Sequence, residues 1–126
     1  MTGLKETLYT FWSQFGIPAY LDDDVPQDAK LPYITYGVSL SDFNGSTVQT
    51  AFAWCDREKP YGNLWRTQMM DFIETAIPVG GLMLAVDDGY IILMRNSSTF
   101  LRDWQDPNDR NVLGVRCSYI VQHYHL

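Results

Sequence analysis

The stretch Leu31-Pro32-Tyr33-Ile34-Thr35-Tyr36-Gly37-Val38-Ser39-Leu40 constrains the chain more than any other. Apolar residues take every second position, at Ile34, Tyr36, Val38 and Leu40. Period two with β-branched and aromatic side chains is the pattern of a half-buried strand. Pro32 has no N–H to give a ladder, which a strand accepts at its first residue or on an exposed edge. The chain therefore builds a sheet, and its other segments are read for what pairs with that strand and what covers it.

Residues 2–15 predict a helix, with Leu4, Leu8, Phe11, Trp12 and Phe15 on one stripe, Thr2 as N-cap, Gly16 just past the end and Pro18 beyond. Ile17-Pro18-Ala19-Tyr20 can extend briefly, and the charged residues 22–30 form a solvated loop. After the first strand, 41–46 is dense in turn formers, and 47–57 alternates again through Val48, Thr50, Phe52 and Trp54. The two runs make an antiparallel hairpin. Phe43, near its tip, either folds back on the sheet or meets a partner.

A turn region over 58–63 leads, with Asn63 as N-cap, to a second helical stripe of Trp65, Met69, Phe72, Ile73 and Ala76, closed by Pro78 and Gly80-Gly81. Runs 82–86 and 90–95 flank Asp87-Asp88-Gly89, a tight-hairpin signal. Residues 96–111 read as polar and irregular, and 112–124 as one long strand with Leu113, Val115, Cys117, Tyr119 and Val121 on one face. The other face carries Arg116, Ser118 and Gln122, with Val112 and Ile120 interspersed. The order is α-β-β-α-β-β-β. Two helices cannot cover both faces of a parallel sheet. The expectation is one α+β domain over 1–126: a mostly antiparallel sheet of about five strands, with both helices on one face.

Charge and composition exclude several classes. With 15 acids against 9 Lys and Arg, the net charge is −6, and the cations are scattered. Tight nucleic-acid binding needs them clustered. No apolar run nears the roughly 20 residues of a membrane span, and the first residues lack a signal-peptide pattern, so cytosolic synthesis is expected. Cys55 and Cys117 have no partner at metal-ligand spacing; they could pair, but two buried free thiols suit a cytosolic chain. His123 and His125 would share a strand face, yet nothing supplies the further ligands zinc wants. Asp22-Asp23-Asp24 lacks the alternating spacing of a calcium loop. Phosphate loops, nucleophile elbows and Cys–His pairs are missing as motifs, so neither catalysis nor a cofactor is expected.

Aromatics set among polar neighbours stand out: Tyr20, Phe43, Tyr61, Phe100, Trp104 and Tyr124. Such residues are typical of protein–protein interfaces. Asp42, Phe43, Asn44, Tyr61, Phe100, Trp104 and Arg110 are the interface candidates. Asp22, Asp23, Asp24, Asp87 and Asp88 are candidates for an acidic surface or channel.

A helix ending in Phe15-Gly16-Ile17-Pro18-Ala19-Tyr20, an acidic loop, then Leu31-Pro32-Tyr33-Ile34-Thr35-Tyr36 and a hairpin, second helix and C-terminal strands give the chain a familiar outline. It resembles the tail terminator and head–tail joining (tail completion, "minor capsid") proteins of long-tailed bacteriophages and prophages. The resemblance spans nearly the whole chain in length and element order; its residue-level part is confined to the Gly-Ile-Pro and Leu-Pro-Tyr-Ile-Thr-Tyr segments. It implies a structural virion protein without catalytic residues or cofactor, assembled in the host bacterial cytoplasm into a homo-oligomeric, commonly hexameric ring. The ring would cap the tail tube, meet the head connector, and let DNA pass without binding it specifically, with no membrane involved. The alternative from another class is an acidic monomeric binding module, antitoxin- or immunity-like, that neutralises a basic partner. A small hydrolase is a third reading, with no motif behind it.

Overall fold

The first helix is set by its stripe. In the computed structural model, which describes residues 3–38, 46–57 and 62–125 apart from the side chains of Asn63 and His125, α1 spans Leu4–Trp12 and tightens into a 3₁₀ turn, Ser13–Phe15. Leu8, Phe11 and Trp12 are buried, with Leu4 and Phe15 packed at the core margin. Gly16 ends the turn at φ 82°, a left-handed conformation that glycine reaches without steric cost. Gly3 stands at the N-cap without a side-chain cap bond; Thr2 lies outside the described residues.

Seven strands follow: β1 Ala19–Leu21, β2 Tyr33–Tyr36, β3 Ser46–Asp56, β4 Leu82–Val86, β5 Gly89–Arg95, β6 Leu101–Gln105 and β7 Val112–His125, with helix α2 at Gly62–Ala76 between β3 and β4. They form one sheet ordered β1-β2-β3-β7-β5-β4, with β6 paired to β7 beyond the end of β5. The β2–β3 and β4–β5 hairpins are antiparallel as expected, the latter turning on Asp87-Asp88. β7 is the pivot. One side pairs with β3 over its first eleven residues; the other pairs with β6 and then β5. Helix α1 touches both β1 and β4, strands at opposite ends of the order, so the sheet curls around the helices.

The structure corrects the sequence reading in six places. The described residues form seven strands rather than about five, and β1 pairs with β2 in parallel. The loop over 22–32 carries the chain back to the end of the sheet where β1 began, the crossover that a parallel pair requires. β6 lies inside the segment read as irregular; Leu101-Arg102-Asp103-Trp104-Gln105 shows no alternation because it is a charged, exposed edge strand. Phe72 leaves the helical stripe and is 57% exposed, whereas Met69 and Ile73 are buried. Helix α2 already includes Asn63, the expected N-cap, and β2 is shorter than its ten-residue signal.

The predicted inner face of β7 is buried throughout. Trp12 and Tyr119 form its centre, rings 5.4 Å apart, the indole N–H donating to the phenol oxygen at 3.3 Å. Against these bulky groups β3 turns its small residues, Ala51, Ala53 and Cys55. Its bulky alternating set, Val48, Thr50, Phe52 and Trp54, therefore faces away from the helices.

Candidate functional site

Alternation along β3, β5 and β7 decides what the uncovered face of the sheet carries. Even-numbered β7 residues point away from the core, and so do their cross-strand partners. Phe52 and Trp54 stack at 5.1 Å between centroids, and Phe52 meets Trp104 of β6 at 5.4 Å. Gly114 sits between Trp54 and Trp104 in the paired rows. A side chain there would collide with Ala53 O, 2.6 Å from the Cβ position, so the β3–β7 approach requires glycine. Trp54 is held by its N–H bond to Thr35 Oγ1 at 3.0 Å. Arg116 lies over Trp104, 5.9 Å from the ring centroid. Farther along, Tyr90 and Tyr124 stack at 5.0 Å, with Ile92, Met94 and Ile120 between the two aromatic groups. Val48 and Met83 on this face are 59% and 64% exposed.

Sequence reasoning singled out Trp104 and Tyr124 on this face but missed Phe52, Trp54, Val48, Tyr90 and Met83. The signal was present: the bulkiest alternating residues of 47–57 oppose a set of alanines, and a core already filled by Trp12 and Tyr119 has room only for the alanines.

The remaining candidates scatter. Phe100 is buried at 4% exposure with the Arg95 guanidinium 4.7 Å over its ring, so it belongs to the core and not to an interface. Its polar neighbours made it look exposed; the chain tucks it in as it passes from β5 to β6. Arg110 is exposed, its carbonyl accepting from Arg57 Nε at 2.7 Å. Asp42, Phe43, Asn44 and Tyr61 lie outside the described residues.

The acidic candidates gather around the N-terminal end of α1. Asp22, Asp23 and Asp24 line a depression with Lys5, and a side chain at Gly3 would lie 3.8 Å from an Asp87 carboxylate oxygen. Carboxylates there meet the positive end of the helix dipole. Asp88 reaches His123 Nε2 at 3.2 Å.

For chemistry, the strongest potential nucleophiles are muted. Burial pushes the Cys117 thiol up to about 12 and raises Cys55, so both stay protonated at neutral pH, and they are unpaired. Among the described residues no group of three or more His, Cys, Asp or Glu is placed to hold a metal. No described helix is long and apolar enough to cross a membrane. Comparisons with protein-family models, with curated proteins and with solved structures found no match to this chain.

Proposed function

We propose that this chain is a structural assembly protein, the subunit of a homo-oligomeric ring at the head–tail junction of a long-tailed phage or prophage. The carrying observation is the uncovered sheet face, where Phe52, Trp54, Trp104, Tyr90 and Tyr124 lie with exposed Val48 and Met83. Two aromatic groups on one sheet face, with Arg116, Ser118 and Gln122 set among them, have the mixed aromatic and polar character of an interaction surface, and aromatics are the residues that dominate interface energetics. The resemblance of the Gly-Ile-Pro and Leu-Pro-Tyr-Ile-Thr-Tyr segments supplies the context: a ring that ends tail-tube growth and receives the head connector. The net charge of −6 supports passage of DNA without retention, since a channel that releases phosphates must not hold counter-charges in register.

Negative-stain microscopy of the purified protein, alone and mixed with tail tubes of a long-tailed phage, tests the reading. Rings in solution or caps at tube ends are expected; bare tube ends beside free monomer would overturn it. The acidic binding module keeps one observation of its own, the aspartates grouped at the α1 N-terminus with Glu6 in the first turn. It predicts a stoichiometric complex with a basic partner and no self-association.

A further inference from the structure

One row of paired residues crosses five strands: Leu21 on β1, Tyr36 on β2, Ala51 on β3, Cys117 on β7 and Leu101 on β6. Both ends of the row are edges among the described residues, where β1 pairs only with β2 and β6 only with β7. Their chemistry is opposite. Asp22, Asp23 and Asp24 follow directly on Leu21, whereas Arg102 follows Leu101 and stands opposite Arg116 on β7. Like charges directly across two strands destabilise a sheet, and an isolated subunit gains nothing from them.

The surroundings of the arginines are built for oxygen ligands. Arg102 and Arg116 line a cleft of about 190 Å³ with Asn96, Ser97, Thr99 and Ser118, where the chain detours over 96–100 between β5 and β6. Arg102 Nη2 donates to Thr99 Oγ1 at 3.2 Å, and Asn96 Nδ2 to Ser118 Oγ at 3.0 Å. Arg116 is steadied over the Trp104 ring. Among the described residues neither guanidinium meets a carboxylate: Asp103, the acid next in sequence, points to the helix side and pairs with Arg66 at 3.8 Å. Asp106 and Asp109 are turned to the backbone N–H groups of Asn108 and Asn111. Paired guanidiniums with free donors bind carboxylates in bidentate fashion.

We propose that this cleft receives the Asp22–Asp24 loop of a second copy of the chain, joining the β6 edge of one subunit to the β1 edge of the next. The two charge groups lie four strand spacings apart along the sheet, about 19 Å of path at the usual interstrand distance, and no ion pair joins them among the described residues. They also occupy different patches, which makes the contact heterologous, the kind that closes into a ring or runs on as a filament. Lys5, beside the aspartates, offsets one of three charges and leaves the loop negative. The inference rests on the assembly reading and names the contact through which subunits join.

The test reverses each side separately, in Arg102→Glu/Arg116→Glu and in Asp23→Lys/Asp24→Lys, and follows association of the full chain by sedimentation velocity, with melting curves to confirm folding. Each variant alone is expected to self-associate at least tenfold more weakly than the parent. An equimolar mixture of the two is expected to recover assembly, since acidic cleft then meets basic loop and basic cleft meets acidic loop. Arg102→Glu by itself, at an exposed edge position, repeats the test should the double arginine change disturb Trp104 packing. Assembly unchanged by the reversals, or weakened without recovery on mixing, overturns this contact and leaves the assembly reading standing. A parent chain that never associates, alone or on tail tubes, overturns both.

Discussion

Trp12 and Tyr119 come from opposite layers and meet where both are fully buried, so each depends on the other's polar atom. Tyr119→Phe leaves the indole N–H of Trp12 without an acceptor in a dry core. The expected loss is about 1–3 kcal/mol in urea unfolding, with the helix and sheet signals unchanged. Tyr119 also lies next but one to Cys117 on the inner face of β7, and both have burial-raised pKa values, the thiol at about 12 against an ordinary 9.0. For an acid raised in the folded state, the native chain holds the proton longer than the unfolded chain does. Stability is therefore complete below about pH 9 and falls as pH rises toward 12. A melting temperature flat from about pH 7 to 8 and declining above 9 is expected, with Cys117→Ala removing part of the decline. A melting temperature constant to pH 11 would contradict the burial of these groups.

Elements announce themselves through periodicity and punctuation, and two glycines separate these signals. At Gly16 the φ of 82° is the whole requirement, since nothing lies within 4 Å of an added side chain. Gly16→Ala should cost about 1–2 kcal/mol, the left-handed penalty alone. Gly114→Ala would press a methyl on the backbone of β3 and should cost about 3 kcal/mol. Chemical denaturation of both variants checks the order; equal losses would contradict it. Gly16 was legible beforehand as the stop of a helical stripe with a proline beyond, whereas Gly114 was silent, because its constraint comes from a strand 61 positions away, at Ala53. The same division runs through the fold. Both helices, both hairpins and the buried face of β7 follow from local patterns. The pairings of β1 and β6 do not: one strand has three residues and the other a mixed edge sequence, and both are fixed by neighbours. The candidate surface was half legible for a related reason. Alternation tells which residues share a face, but only the helices' own bulk decides which face stays uncovered.

At the scale of the molecule, the curled sheet keeps its helices inside the curve and presents an aromatic outer face. Phe52→Ser and Trp104→Ser should change the melting temperature little while weakening assembly, each by about 2 kcal/mol or roughly thirtyfold per contact. A ring repeats that loss at every junction. Should either variant unfold the subunit, its aromatic serves the core and the face is not an assembly surface. Electrostatic joining through Arg102 and Arg116 adds that assembly weakens as salt rises, since partly exposed pairs are screened. The mass of the assembled species, read by light scattering across a concentration series with and without tail tubes, decides whether the chain forms a ring. A closed oligomer near six subunits that does not grow further with concentration is expected; a chain that remains monomeric throughout, with no mass added at the tube ends, would overturn the ring.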